Sequence, residues 1–272
     1  MKLKKIETIS RYQEIIERYG RKGCVSNDYI QREAELFIQK DRLFEFVGDS
    51  NAFLLLRKDG FWRVYYYLND YAEPLILDKG EALETEVLFR DSVGEPEEEV
   101  LYLERSGFKR HLIRDQYVGM YGELNHAGIN TDICVCPAQT IDDVYRAVEL
   151  FNNSFDKYSG DYVSSNECGE LLCKGSILIA KKTGDEDNNI LGALHQSIVN
   201  NVAWISHLAV ERSARGNHVG QTLLDAFVEG NMAKDKSRYM FWVQHENEVA
   251  LRMYQKKGFR YMGKSSLSMI KP

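Results

Sequence analysis

Apolar side chains recur along this chain at two spacings, every second residue in short runs and every three to four residues in longer ones. Short runs predict strands and the wider spacing predicts amphipathic helices. In the first half the pattern predicts helices within residues 10–45 and over 97–106, and strands at 52–57, 61–68, 86–90 and 117–121. In the second half it predicts helices after 140, after the loop at 215–220 and over 246–257, and strands at 133–135, 176–180, 191–198, 202–210, 239–243 and 261–269.

The two halves have the same order of predicted elements and share a short segment of similar sequence. Leu103-Glu-Arg-Ser-Gly-Phe-Lys109 parallels Tyr254-Gln-Lys-Lys-Gly-Phe-Arg260, each at the end of a predicted helix that leads into a strand. Residues 125–130 are rich in Gly and Asn, which is typical of a linker. We therefore predict tandem α/β (α+β) domains over 1–124 and 131–272, each a mostly antiparallel mixed sheet flanked by helices. One large domain is the alternative.

Composition narrows the function classes. The chain has 272 residues, 44% of them hydrophobic, and a formal net charge of -6, which argues against a general nucleic-acid binder. Its five cysteines are odd in number and scattered, so we expect reduced thiols rather than a disulfide framework. No apolar run approaches the length of a membrane span. We therefore expect a cytoplasmic protein without metal, nucleic-acid or membrane partners; nothing in the sequence indicates an oligomeric state.

A loop rich in Arg and Gly follows the predicted strand 202–210. Its residues are Arg215-Gly-Asn-His-Val-Gly220, and an amphipathic helix starts at once. The first turn of a helix has unpaired N–H groups, and the helix dipole favours an anion there. A phosphorylated cofactor is the natural ligand for such a loop.

A second motif lies downstream, in Asn247-x-x-Ala250-x-x-x-Tyr254-x-x-x-Gly258-Phe259. The two motifs, separated by the strand 239–243, resemble those of the GNAT superfamily of acyl-CoA-dependent N-acyltransferases. The resemblance covers roughly residues 131–272, and the first half lacks the loop. His218 departs from the family pattern, because it stands at the first glycine position of the loop.

The resemblance implies acetyl-CoA, or another acyl-CoA, as co-substrate and an amine acceptor. It also implies that strand 202–210 splays from its neighbour, that Tyr254 donates a proton to the departing thiolate and that Asn247 contacts the cofactor. The expected cofactor-binding residues are Leu208, Val210, Arg215, Gly216, Asn217, His218, Val219, Gly220, Asn247 and Tyr254.

The general base is less well defined by the sequence. His207 lies near the expected acceptor site and has a suitable intrinsic pKa, although it also fits a half-buried structural histidine. His195, His245 and Glu246 are lesser candidates. The leading prediction is an N-acetyltransferase acting on a primary amine. The alternatives are a CoA-sensing or partner-binding protein without catalysis, and an aminoacyl transferase of the Fem type.

Overall fold

The computed structural model describes residues 3–77, 80–125, 132–184, 189–231 and 238–272. The chain divides into two compact units, one of residues 1–114 with 264–272 and one of residues 115–263. The division therefore falls before the predicted linker, of which residues 126–130 lie outside the described part. The last strand returns to the first unit instead of staying with the second half.

The first unit is a mixed sheet with helices on its faces. Its elements are β1 (Lys4–Lys5), α1 (Ile9–Tyr19), β2 (Val25–Ser26), α2 (Ala34–Gln39), β3 (Leu43–Val47), β4 (Ala52–Lys58), β5 (Phe61–Leu68), β6 (Ala82–Arg90), α3 (Glu97–Arg105) and the start of β7 (Lys109–Met120). Every residue of β5 is buried because both of its faces are covered. Helical spacing wrongly extended the first helical region to residue 45, where β3 instead pairs antiparallel with β4.

The second unit repeats this plan. Its elements are β8 (Ile133–Pro137), α4 (Ile141–Ser154), α5 (Cys168–Lys174), β9 (Ile177–Lys182), β10 (Ile190–Val199), β11 (Val202–Val210), α6 (Val219–Gly230), β12 (Arg238–Gln244), α7 (Glu248–Lys257) and the start of β13 (Arg260–Lys271). Its strand order is β7-β12-β11-β10-β9-β8. A capping box between Thr140 and Asp143 starts α4, which confirms the N-cap predicted there.

Apolar cores lie on both faces of the second sheet. One contains side chains of α6 and α7, such as Leu223 and Tyr254, together with Phe241 of β12. The other lies under α4 and α5 and contains Val144 and Phe151. The predicted α/β class, with tandem mixed sheets flanked by helices, is confirmed. No helix in the described part of the chain is long and apolar enough to cross a membrane.

Candidate active site

The parallel ladder between β11 and β12 is short. It pairs Val202–Ile205 with Arg238–Phe241, although β11 continues to Val210 and β12 to Gln244. Within the described residues this ladder has no pair beyond Ile205 and Phe241. Residues 206–210 therefore border a crevice between the strands, where backbone groups can pair with a ligand. The splay implied by the family resemblance is present.

A β-bulge changes the faces of β11 at the start of this crevice. On β10, His195 pairs with His207 and Gln196 pairs with Ile205, so Ser206 is the extra residue. A strict alternation along 202–210 would put Ile205 and His207 on one face, and the structure shows otherwise. Ile205 joins the core beside α6 and α7. His207 instead lies against Phe151 of α4.

After the bulge, Leu208 and Val210 turn toward α6 and α7. A side chain added at Gly220, near the start of α6, would meet Leu208, Val210 and the sulfur of Met253 on α7 at 3.4 to 3.6 Å. The end of β11, the start of α6 and the middle of α7 therefore converge. These are the elements that carry the predicted cofactor-binding residues.

The loop before α6 leaves its backbone donors open. The first helical bond runs from the Thr222 N–H to the His218 carbonyl at 2.9 Å, and His218 provides no side-chain cap. The N–H groups of Val219, Gly220 and Gln221 thus precede the first helical bond. Together with the helix dipole they form a site suited to a phosphate.

His218 adopts a left-handed conformation, with φ of +62°. That conformation explains why the family has glycine there, since a side chain makes it less favourable. Its imidazole is exposed. Arg215 is exposed as well and donates from Nε to the Val210 carbonyl at 3.3 Å, which ties the loop to the end of the strand.

Helix α7 positions Asn247 and Tyr254. Asn247 is exposed, and its side chain caps α7 by accepting the Ala250 N–H at 3.2 Å. Tyr254 is only 6% exposed, and its ring centroid lies 4.0 Å from that of Phe241. Burial raises the pKa of Tyr254, so its hydroxyl keeps its proton at neutral pH.

The Tyr254 hydroxyl has no hydrogen-bond partner among the described residues. The side chain keeps a small exposed fraction. The hydroxyl is therefore available to a ligand.

The two histidines at the bulge form a pair. His207 is 7% exposed, with its ring centroid 5.0 Å from that of Phe151 and 5.4 Å from that of Phe155. Its Nδ1 lies 3.2 Å from Nδ1 of His195. Burial and the neighbouring His207 lower the pKa of His195 to about 3, so His195 is neutral.

His245, another candidate base, lies at the end of β12. Its Nδ1 is 2.7 Å from the carboxylate of Asp115, a residue without a sequence motif. Asp115 belongs to β7, which borders β12 on the side away from β11. The pair therefore faces away from the crevice, and no signal in the sequence indicates it because the two residues are 130 positions apart.

The first unit has the same short ladder, but the corresponding crevice is filled. Its parallel strands pair Phe61–Val64 with Ala82–Thr85. Beyond those pairs, Asn27 donates to the Glu86 carbonyl at 2.8 Å and accepts the Tyr66 N–H at 2.7 Å. The Asn27 amide thus bridges the strands where the second unit has open backbone, and residues 69–81 include no helix like α6 in their described part.

Part of the second unit matches a known protein family. The family model of the acetyltransferase (GNAT) family matches residues 144–259. That range contains β11, the open loop, β12 and α7. A search of curated proteins found no match.

Solved structures extend the likeness to the whole chain. A GCN5-related N-acetyltransferase from Sphaerobacter thermophilus is similar with a TM-score of 0.63 at 13% identity, over 99% of this chain and 95% of that one. A tandem GNAT protein from the clavulanic acid biosynthesis pathway has a TM-score of 0.63 at 12% identity, over 99% and 98%. A GNAT-family acetyltransferase from Colwellia psychrerythraea has a TM-score of 0.55 at 13% identity, over 100% and 99%.

At these identities the structural likeness defines the fold alone. The chain has a tandem GNAT fold, and residues 144–259 match the family model of the acetyltransferase (GNAT) family.

Proposed function

We propose that this chain is an N-acetyltransferase that moves the acetyl group of acetyl-CoA to a primary amine by direct attack. The observation that carries the proposal is the crevice beyond the Ile205–Phe241 pair, which opens beside the uncapped first turn of α6. A ligand with a diphosphate and an extended amide-containing arm matches the N–H groups of the loop and the free backbone of β11. Acyl-CoA has that chemistry.

In this proposal the loop residues Arg215, Gly216, Asn217, His218, Val219 and Gly220 hold the diphosphate mainly through backbone N–H groups. The backbone of Leu208 and Val210 pairs with the arm and stabilises the oxyanion that forms during attack. Asn247 keeps α7 in place by capping it, and its exposed amide contacts the cofactor in this proposal. These assignments concern residues 131–272 and leave residues 1–124 without an acyl-CoA site.

Proton transfers occur on opposite faces of β11. The amine nitrogen attacks the thioester carbonyl from the α4 face, and its proton passes to His207. The carbon–sulfur bond then breaks, and the Tyr254 hydroxyl protonates the departing thiolate from the α7 face. The raised pKa of Tyr254 suits a group that must arrive protonated, and solvent restores its proton after thiol release.

A second candidate is a protein that binds acyl-CoA without catalysis. The burial of His207 against Phe151 favours it, because a base must reach its substrate. Loss of catalysis would leave the phosphate loop and the crevice intact. The two candidates therefore predict the same cofactor binding and differ only in turnover.

An acetyl-CoA consumption screen tests the proposal. The purified chain is incubated with acetyl-CoA and a panel of amines, amino sugars, amino acids and peptide N-termini, while free thiol is measured against protein-free controls. Amine-dependent thiol release with an acetylated product is the expected result. Acetyl-CoA binding without acetylation of any amine would instead support the non-catalytic candidate, and absence of binding would exclude both.

A further inference from the structure

Two tryptophans of the second unit, Trp204 and Trp242, lie on the face of the sheet that carries α4. On β12, Phe241 and Val243 belong to the core beside α6 and α7, so Trp242 between them points to the opposite face. On β11, Ile205 belongs to the same core, and Trp204 therefore points away from it as well. Both indoles are partly exposed, and in the described part of the unit neither belongs to the core under α4 and α5.

The register of the strands puts these two indoles at the mouth of the crevice. Trp204 pairs with Met240, one step before the Ile205–Phe241 pair that ends the parallel ladder. Trp242 is the first residue of β12 beyond that pair on the α4 face. One indole thus precedes the opening and the other follows it. Met240, which is 7% exposed, pairs with the first indole and is two residues from the second.

A further aromatic ring borders the opening from α4. Phe155 follows the last turn of α4 and is partly exposed, and its ring centroid lies 5.4 Å from that of His207 at an interplanar angle of 67°. His207 follows the bulge of β11 on the α4 face, and the bulge residue Ser206 is exposed beside it. We call Trp204, Met240, Trp242 and Phe155 the aromatic rim. The α4 face of the crevice is therefore bordered by apolar side chains from β11, β12 and α4.

We propose that the aromatic rim binds the body of the acceptor, and that the acceptor is an arylalkylamine, a primary amine on an alkyl chain that ends in an aromatic ring. This inference rests on the proposed function, because it takes the amine to approach the thioester from the α4 face. Large apolar side chains that stay partly exposed beside a binding crevice are suited to bury apolar surface of a ligand. Indole and phenyl rings add stacked or edge-to-face contacts with an aromatic partner.

Other classes of amine fit the aromatic rim less well. Each hydroxyl of an amino sugar that leaves water needs a hydrogen-bond partner, and the side chains of the rim offer mainly ring faces. The carboxylate of a free amino acid would meet the negative faces of those rings. An arylalkylamine has one polar group, its amine, and that group enters the reaction.

A panel of amines tests the substrate class on the wild-type chain. Phenylethylamine, butylamine, glucosamine and glycine are compared by kcat/KM, from thiol release at saturating acetyl-CoA. We expect phenylethylamine to exceed each of the others at least roughly tenfold, because it alone places a ring on the rim. An equal or higher kcat/KM for any of the other three would overturn the inference and leave the proposed function intact.

Variants of the two tryptophans connect the preference to the aromatic rim. Trp204→Leu and Trp242→Leu keep an apolar side chain but remove the ring, so kcat/KM for phenylethylamine should fall roughly fivefold or more, mainly through KM. Butylamine kinetics and acetyl-CoA affinity should not change. Tyr145→Leu is the matched control, because Tyr145 is 48% exposed on α4 and lies outside the rim. An unchanged preference in both folded tryptophan variants would overturn the inference, and the wild-type panel decides it if neither variant folds.

A binding measurement separates this inference from the proposed function. The chain saturated with CoA, which has no acetyl group to transfer, is titrated with phenylethylamine while tryptophan fluorescence is followed. Two of the three tryptophans belong to the rim, and the third, Trp62, belongs to the first unit. We expect a saturable change that glucosamine does not produce. Such binding without any acetylated product would refute the proposed function alone, whereas absence of both binding and turnover would refute both.

Discussion

Ile205 and Phe241 form the last pair of the parallel ladder between β11 and β12. Beyond this pair Tyr254 packs on Phe241, and its hydroxyl has no partner among the described residues. The end of the ladder thus places an unpaired proton donor where the backbone of β11 becomes open.

Replacing Tyr254 with Phe should lower kcat by roughly 100-fold or more, because the thiolate then leaves without a proton donor. The ring and its contact with Phe241 remain, and no protein hydrogen bond is lost. Stability and the dissociation constant of acetyl-CoA should therefore stay close to those of the wild type. Steady-state kinetics, calorimetry and thermal denaturation of both proteins test this; unchanged kcat with a saturating amine would exclude Tyr254 as the acid.

Replacing His218 with Gly should leave acetyl-CoA affinity intact and raise the free energy of unfolding by up to about 1 kcal/mol, because the left-handed conformation suits glycine. His218→Val should instead destabilise the chain, since a β-branched residue tolerates positive φ poorly. Chemical denaturation and calorimetry measure both effects. A large loss of affinity in the glycine variant would mean that the imidazole, rather than the backbone, holds the cofactor.

A buried ion pair joins α6 and α7. Nζ of Lys257 lies 2.5 Å from a carboxylate oxygen of Asp225, and Lys257 is only 4% exposed. Replacing Lys257 with Met should lower the free energy of unfolding by about 3 kcal/mol, because the Asp225 carboxylate is left without its partner. The double variant with Asp225→Leu should recover much of this loss, as denaturant titration can show. If the Lys257→Met variant were as stable as the wild type, the ion pair would not contribute to stability.

Lowering the pH should decrease the free energy of unfolding, because His195 is held neutral in the folded chain. An unfolded histidine takes a proton near pH 6.5, whereas His195 in the folded chain does so only at about pH 3. The unfolded state therefore binds more protons between these values, and stability falls as the pH drops below 6.5. The loss should reach about 2 to 3 kcal/mol at pH 4.5.

His195→Asn should remove this part of the pH dependence. The comparison is needed because burial raises the pKa of Glu84 and Glu99 to about 7, and these groups act in the opposite direction in both proteins. Urea titrations at several pH values measure the difference. Parallel pH profiles for the variant and the wild type would show that His195 is not held neutral.

Much of the site follows from sequence because it depends on local spacing. The loop at 215–220 and the helix with Asn247 and Tyr254 lie where their motifs place them. The bulge at Ser206 was not predictable, since it depends on the register between β10 and β11. Strict alternation along β11 would place Ile205 and His207 on the same face of the sheet, and the bulge places them on opposite faces.

Contacts between residues that are far apart in the sequence could not be predicted either. Asn27 closes the crevice of the first unit through bonds to residues 39 and 59 positions away. The sequence already showed that the first half lacks the Arg/Gly loop, but only the structure identifies what fills the gap. Strand β13 likewise pairs with β6, and its residues from Lys264 onward belong to the first unit. The sequence prediction divided the chain into two consecutive domains and therefore assigned this strand to the second.

The central claim is that the open loop and crevice of the second unit bind acyl-CoA, and that the first unit does not. Asn217 is exposed within the loop, so Asn217→Glu adds a negative charge beside the phosphate donors without disturbing the core. Asn217→Gln is the matched control, because it keeps the amide and the neutral charge.

Isothermal titration calorimetry of the full chain with acetyl-CoA tests this claim most directly. The prediction is one site per chain, with affinity retained in Asn217→Gln and reduced at least roughly tenfold in Asn217→Glu. No binding at millimolar acetyl-CoA, two sites per chain, or equal affinity in the two variants would contradict it.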